Sequence, residues 1–303
     1  MLKVLAQSIR TDRGARGSAA ESGSNEVRLS MKDAIALQSV SMVYGAGAGA
    51  VRALDGLNLG IPAGSFVSVV GPSGCGKSTL LRLIAGLETA SDGQVLVGGR
   101  PVTKPQTDLG IVFQSAVLLD WRDVIGNVLL QVELRRLNKA DYKERALDLL
   151  AAVGLEGFEK SYPSQLSGGM AQRAAIARAL IHDPPLLLMD EPFGALDSLT
   201  REQMRIDLEA LWMASPKTVL FITHSIDEAV LLSDKVVVMT QRPGKLQEEL
   251  TIDIPRPRGL DGRQSKAFKE AADHITSLFI KQGVFKNKEQ SLGRILSKRG
   301  SKE

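Results

Sequence analysis

A β-branched run, a glycine-rich octet and a helix-period segment follow one another from Ser65 to Leu87, and they restrict the chain to few folds. Ser65–Val70 is a short strand that stops at Gly71. Gly71-Pro72-Ser73-Gly74-Cys75-Gly76-Lys77-Ser78 matches G-x-x-x-x-G-K-[ST], a loop whose backbone amides curl around phosphate. Leu80, Leu81, Leu83, Ile84 and Leu87 then recur at helical spacing, so Lys77–Leu87 reads as a helix. Strand, loop and helix in that order form an anion cradle. Glycine admits backbone angles that other residues resist, and the helix adds its positive N-terminal end. Lys77 offers a charge to the β- and γ-phosphates, Ser78 a hydroxyl to Mg²⁺ and Thr79 a contact to the α-phosphate. Cys75, the only cysteine, excludes an internal disulfide framework, and a thiol reagent there is expected to block nucleotide.

The remaining pattern is that of an α/β protein. Leu186–Met189, Thr218–Thr223 and Lys235–Met239 are continuous apolar runs of strand length, suited to a parallel sheet buried on both faces. Helical segments Ser198–Ala214 and Asp227–Leu232 separate them. Leu37–Tyr44 and Val51–Ile61 read as strands around a flexible turn, Gly45–Ala50, and Gln94–Val97 and Asp108–Phe113 as further strands. From about Val124 to Leu155 the period is helical, Ser167–Ile181 is another helix, and Phe268–Phe285 is the last. The organisation read from this is a disordered extension over 1–34, one domain over 35–280 with a helical insertion at about 115–166, and a basic tail over 281–303.

Seven basic and two acidic residues lie in 281–303, so the net charge of +4 is a property of the tail and the rest of the chain stands at −1. No nucleic-acid partner is expected from it. No stretch approaches the ~18 apolar residues of a membrane span. The N-terminus lacks the apolar core of a signal peptide, which leads to the expectation of a cytosolic chain.

Four more motifs follow the glycine loop in fixed order: Val112-Phe113-Gln114, Leu166-Ser167-Gly168-Gly169-Met170-Ala171-Gln172-Arg173, Leu186–Pro192 and Phe221-Ile222-Thr223-His224. Asp190 and Glu191 close an apolar run, where carboxylate oxygen suits a hard cation near phosphates. Ser167, Gly168 and Gly169 open a helix, which gives a second anion-ready terminus.

With these motifs in this order, the segment from Leu37 to Arg258 resembles the ATPase subunit of an ABC transporter. The resemblance implies a P-loop NTPase core with a mostly parallel sheet, an antiparallel β subdomain and a helical insertion. It implies ATP and Mg²⁺ as ligands. Glu191 would be the carboxylate that polarises the attacking water, His224 the switch histidine at the γ-phosphate, and Gln114 a link from the nucleotide to the insertion. Ser78, Gln114 and Asp190 would hold Mg²⁺. Tyr44 would stack on adenine, and the phosphate loop, Gly71, Pro72, Ser73, Gly74, Cys75, Gly76, Lys77, Ser78 and Thr79, would hold the phosphates. Ser167, Gly168, Gly169 and Asp197 would close over nucleotide held by a second copy, so that a homodimer buries two ATP molecules head to tail.

Leu118-Leu119-Asp120-Trp121-Arg122-Asp123-Val124 looks like the L-L-P-W-R-x-V of importers of nitrate, alkanesulfonates and taurine, with Asp120 in place of proline. Gln241-Arg242-Pro243-Gly244 and Ile254–Arg258 resemble the same branch. The partners so implied are two integral-membrane permease subunits and an extracytoplasmic solute-binding protein, with this chain peripheral on the cytoplasmic face of the inner membrane. The competing readings are a soluble ABC ATPase not engaged in transport and a nucleotide-binding scaffold that does not hydrolyse.

Overall fold

Each continuous apolar run becomes a strand of one six-stranded sheet. A computed structural model of the protein describes residues 33–284. The sheet joins β3 (Phe66–Val70), β6 (Leu109–Val112), β7 (Leu186–Asp190), β8 (Thr218–Ile222), β9 (Lys235–Met239) and β10 (Leu246–Thr251) in the order β10-β9-β3-β8-β7-β6. All pairs are parallel except β10 against β9 at one edge. A second, antiparallel sheet has the order β2-β1-β4-β5, from β1 (Asp33–Tyr44), β2 (Val51–Pro62), β4 (Asp92–Val97) and β5 (Arg100–Pro101).

The strand period of two sorts side chains between two cores. On β8, Leu220 and Ile222 join Leu54, Leu57 and Leu59 of β2 and Leu80, Leu81 and Ile84 of α1 (Lys77–Ile84). Val219 and Phe221, one residue out of phase, join the opposite core. There the helical layer packs on the sheet: α2 (Val124–Val128), α3 (Leu130–Leu134), α4 (Lys139–Ala152) and α5 (Gly168–Leu180) contribute Val128, Val132, Leu149, Leu150 and Ile176. Between β7 and β8 runs α6 (Ser198–Ala214), and α7 (Ile226–Leu232) precedes β9. A third cluster seats α8 (Lys266–Lys281) on α7 and β9 through Ile275, Leu278 and Phe279.

Several boundaries differ from the sequence reading. The first helix stops at Ile84, because Gly86 takes the left-handed φ of 71° that closes it. The helical stretch after Val124 is three helices, with a break at Leu129 and another where Arg136 turns to φ 57°. Gly47–Gly49 form a turn of 3-10 helix within the glycine segment. The last helix ends at Lys281 rather than Phe285, and Gly283 at φ 72° terminates it. β10 carries Gln247, Glu248 and Glu249, and its polar composition hid it from the sequence reading. The expected extension over 1–34 lies outside the described residues except for Asp33 and Ala34, which already belong to β1, and so does the basic tail beyond 284.

The sheet order has one functional consequence. β3, β8, β7 and β6 are adjacent and parallel, so their carboxyl ends stand side by side. The phosphate loop, His224, Glu191 and Gln114 each follow one of those ends. Parallel sheets place their ligand sites there.

Candidate nucleotide site

The cleft is built from the phosphate loop outward. Gly76 takes φ 101°, and a Cβ there would lie 2.7 Å from Leu54 Cδ2 and 2.9 Å from the Ala53 carbonyl, so only glycine fits against β2. Lys77 is 6% exposed, and its Nζ donates to the carbonyls of Gly71 (2.8 Å) and Pro72 (3.0 Å), which holds the loop curled. Ser73, Gly74, Gly76, Lys77, Ser78 and Thr79 line a cavity of about 340 Å³, with Tyr44, Gln114 and Glu191 on its other walls. Gly71 and Cys75 lie beneath the loop rather than on the cleft wall. The Cys75 thiol is 1% exposed, and burial pushes its pKa up, so a thiol reagent reaches it only if the loop opens.

Glu191 stands at the centre of a small polar array. Its Oε2 accepts from Gln114 Nε2 at 3.3 Å and lies 3.2 Å from His224 Nδ1. Its backbone is held at φ 46°, a left-handed conformation that costs a non-glycine residue about 1–3 kcal/mol. The bonds from its N–H to the Ile222 carbonyl (2.8 Å) and from the Gly194 N–H to its own carbonyl (3.0 Å) fix that geometry. The strain aims the carboxylate past the end of β7 toward the mouth of the cleft. The His224 side chain is 60% exposed, so it can move without unpacking the core.

Asp190 is half-buried beside this array and shares a hydrogen bond with Ser78. Burial, more than any other effect, raises its pKa; the Ser78 bond opposes the rise, and the neighbouring Glu191 charge adds to it. A cation beside this pair would relieve both penalties. Among the described residues no group of three or more His, Cys, Asp or Glu could hold a metal by itself. One carboxylate and one hydroxyl beside a phosphate cradle fit a Mg²⁺ ion, which keeps several waters and takes phosphate oxygens as ligands.

Tyr44 borders the cleft with its hydroxyl tied down: the hydroxyl lies 3.2 Å from Thr79 Oγ1 and donates to Glu88. Burial and the Glu88 carboxylate both raise its pKa.

Ser167, Gly168, Gly169 and Asp197 do not line this cleft. They meet at a second cavity of about 450 Å³ together with Met170, Arg173, Leu196 and Thr200. Both polar members also cap helices. Ser167 Oγ accepts from Met170 N at 3.2 Å, and Asp197 Oδ1 accepts from Leu199 N (3.1 Å) and Thr200 N (3.0 Å). The Thr200 side chain first, and these backbone N–H groups after it, lower the Asp197 pKa. From the same helix α5, Gln172 donates to the Phe113 carbonyl (2.9 Å), and Arg178 donates to the carbonyls of Val117 (2.7 Å) and Ala116 (2.8 Å). The helix that begins at one cavity therefore grips the segment bearing Gln114 at the other.

Sequence reasoning gave no role in the cleft to three of its residues, Val51, Ala53 and Arg242. Val51 and Ala53 are ordinary strand residues with no local signal. The signal at Arg242 was its charge beside Pro243 and Gly244, which had been read as a branch feature only.

Fold and cleft together have the architecture of a P-loop NTPase, and comparison with known proteins narrows this. The ABC transporter family profile matches residues 54–194. The chain is 46% identical over 257 residues to an uncharacterized ABC transporter ATP-binding protein of Methanocaldococcus jannaschii, covering 85% of this chain and 95% of that one. It is 48% identical to the taurine import ATP-binding protein TauB of Rhizobium johnstonii, over 74% of this chain and 86% of the relative. It is 40% identical to the aliphatic sulfonates import ATP-binding protein SsuB of Bacillus cereus, over 82% and 97%. A dimeric ATP-binding cassette solved in a post-hydrolysis state with ADP and Pi superposes with a TM-score of 0.65 at 33% identity, covering 73% of this chain and all of that one. The chain belongs to the ABC transporter family, as an ATP-binding and ATP-hydrolysing subunit.

Proposed function

We propose that this protein is the energy-coupling ATPase of an importer for small sulfonates, with taurine or an aliphatic sulfonate as cargo. The observation that carries the catalytic part is the convergence of Gln114 and His224 on one oxygen of Glu191 at the mouth of the phosphate cleft. In this reading Glu191 accepts a hydrogen bond from the water that attacks the terminal phosphate, and so orients it. His224 and Gln114 hold that carboxylate in place. The phosphate loop and Lys77 bind the nucleotide, Tyr44 stacks on the base, and Asp190 and Ser78 hold Mg²⁺, which supplies charge neutralisation when bound. Catalysis is by positioning and electrostatics, as phosphoryl transfer requires.

The cavity around Ser167, Gly169 and Asp197 is the face for a second copy. Two chains related by a two-fold axis would then bring each such face to the other's nucleotide. The names TauB and SsuB support the sulfonate class, and nitrate rests on the sequence likenesses to that branch only. Among the described residues no helix is long and apolar enough to cross a membrane. In this reading the pore belongs to separate permease subunits, which the import ATP-binding relatives support. A solute-binding protein would deliver the cargo from outside, and this chain would sit on the cytoplasmic face of the membrane.

The test is Mg²⁺-dependent ATP hydrolysis by the purified chain beside Glu191→Gln, with mass followed by light scattering. The variant is expected to bind ATP, to lose turnover by about 10² or more, and to accumulate as an ATP-dependent dimer. Near wild-type turnover in Glu191→Gln would remove Glu191 from its assigned role. For the cargo, the chain reconstituted with its permease should hydrolyse ATP faster when taurine or an alkanesulfonate is present with the binding protein. Stimulation by nitrate alone would overturn the sulfonate assignment.

A further inference from the structure

We infer that Arg242 is a second phosphate-binding cation of the nucleotide cleft. This rests on the nucleotide reading of that cleft and adds a residue outside every motif used to reach it. Among the described residues that line the cavity, only Lys77 and Arg242 are cationic. Lys77 bends its ammonium back onto two carbonyls of its own loop. Arg242 approaches from the other side: its Nε donates to the Gly74 carbonyl at 3.1 Å, and Nη2 lies 3.3 Å from where a Cβ on Gly74 would stand. Among the described residues no carboxylate pairs with its guanidinium, in contrast to Lys245 nearby, which reaches Asp55 at 2.8 Å. An unpaired guanidinium on the wall of a phosphate cradle keeps donors free for an anion, and its planar fork suits phosphate oxygens.

The placement is built rather than incidental. Arg242 rides on a turn, residues 240–245, closed by the bonds from Thr240 N to the Lys245 carbonyl (2.9 Å) and from Lys245 N to Thr240 Oγ1 (3.0 Å). Gly244 clips the turn to β2, donating to the Ala53 carbonyl (2.9 Å) and accepting from Asp55 N (3.1 Å). Against the phosphate loop the fit is closer still: a Cβ on Gly244 would lie 2.0 Å from the Cys75 carbonyl. On its far side, Gln241 Nε2 donates to the Gln282 carbonyl beyond α8 at 3.2 Å. The turn is thus wedged between three neighbours, which fixes the backbone of Arg242 relative to Gly74, and the Nε bond tethers its exposed side chain to the loop. A tethered charge loses less conformational freedom when it meets an anion.

The test compares wild type, Arg242→Gln, Arg242→Lys and Lys77→Ala by equilibrium binding of fluorescent ATP and ADP analogues and of adenosine, at low and at high salt. Arg242→Gln keeps a donor for the Gly74 carbonyl but removes the charge. It is expected to weaken ATP about tenfold at low salt, the lower end for a charge-assisted hydrogen bond at an exposed side chain. The difference should shrink at high salt, because screening acts on the charge and not on packing. Arg242→Lys should recover part of the loss, and adenosine binding should not change. Unaltered ATP affinity in Arg242→Gln overturns the inference, as does a loss that is equal at both salts or that extends to adenosine, which would make Arg242 a structural clamp or a ribose contact. Should Arg242→Gln fail to fold, Arg242→Met removes the same charge and decides: a loss confined to phosphate-bearing ligands and to low salt supports the assignment, and no loss refutes it. Failure of wild type to bind ATP, or full binding by Lys77→Ala, would instead strike the nucleotide reading itself.

Discussion

Asn127 is fully buried and organises the loop that carries Trp121, so its replacement gives a quantitative test of how that loop is held. Its Oδ1 accepts from Leu119 N at 2.7 Å. Its Nδ2 faces the carbonyls of Leu119 (3.1 Å), Arg122 (3.0 Å) and Asp123 (3.0 Å). One amide nitrogen has two hydrogens, so three acceptors share two donors, and the side chain amounts to three hydrogen bonds in all. At about 1 kcal/mol net for each, Asn127→Ala should cost about 3 kcal/mol. For a domain of this size that lowers the unfolding midpoint by roughly 6–12 °C. Asn127→Asp keeps the acceptor for Leu119 N but turns a carboxylate oxygen toward three carbonyls, and it should cost at least as much as Ala. Thermal unfolding by circular dichroism measures the stabilities, and hydrogen exchange at the Leu119 amide reads the loop directly. A cost below about 1 kcal/mol in Asn127→Ala, or an Asp variant more stable than the Ala variant, would refute the account.

Two further outcomes are expected. Glu228 is buried, accepts from the Thr223 hydroxyl at 2.5 Å and lies 3.8 Å from Arg201, which donates to the carbonyls of Phe193 (3.3 Å) and Leu196 (2.9 Å); Glu228→Ala should therefore loosen His224 and the segment before Asp197 together, lowering kcat for ATP hydrolysis about tenfold with KM little changed, and the opposite split would contradict the link. Burial first, and the Arg135 charge second, bring the His182 pKa from 6.5 down to about 4. Between those values the unfolded chain takes up a proton that the folded one refuses, so stability should fall as pH drops from about 6.5 to about 4 and level off below. His182→Gln should flatten that span, and an NMR titration that placed His182 near 6.5 would dismiss the effect.

The parallel core was legible because strands buried on both faces must be continuously apolar, and Leu186–Met189, Thr218–Thr223 and Lys235–Met239 could hardly be anything else. β10 was not, since an edge strand has one face and one rim in water and can afford Glu248 and Glu249. The same contrast holds at the cleft. Lys77 and Ser78 announce themselves because the loop dictates their spacing, whereas Arg242 reaches the loop through a register between β9, β2 and Cys75 that no local pattern encodes. Asn127 was equally silent: an asparagine in an apolar helical stretch carries its meaning only in the carbonyls folded around it. Ser167 and Asp197 were read as ligand contacts, and the structure adds a second duty, since each also caps a helix.

The grip of α5 on the loop beyond Gln114 constrains how motion in this protein can be observed. Gln172 and Arg178 tie Phe113, Ala116 and Val117 to the same rod that starts after Ser167. A pair of spin labels at Ser167 and Val117 would sit on one lever and report a constant separation through any cycle that preserves those bonds. Labels at Ser167 and Ser73 stand at the two cavities and are not joined by those bonds, so theirs is the separation that would register a stroke.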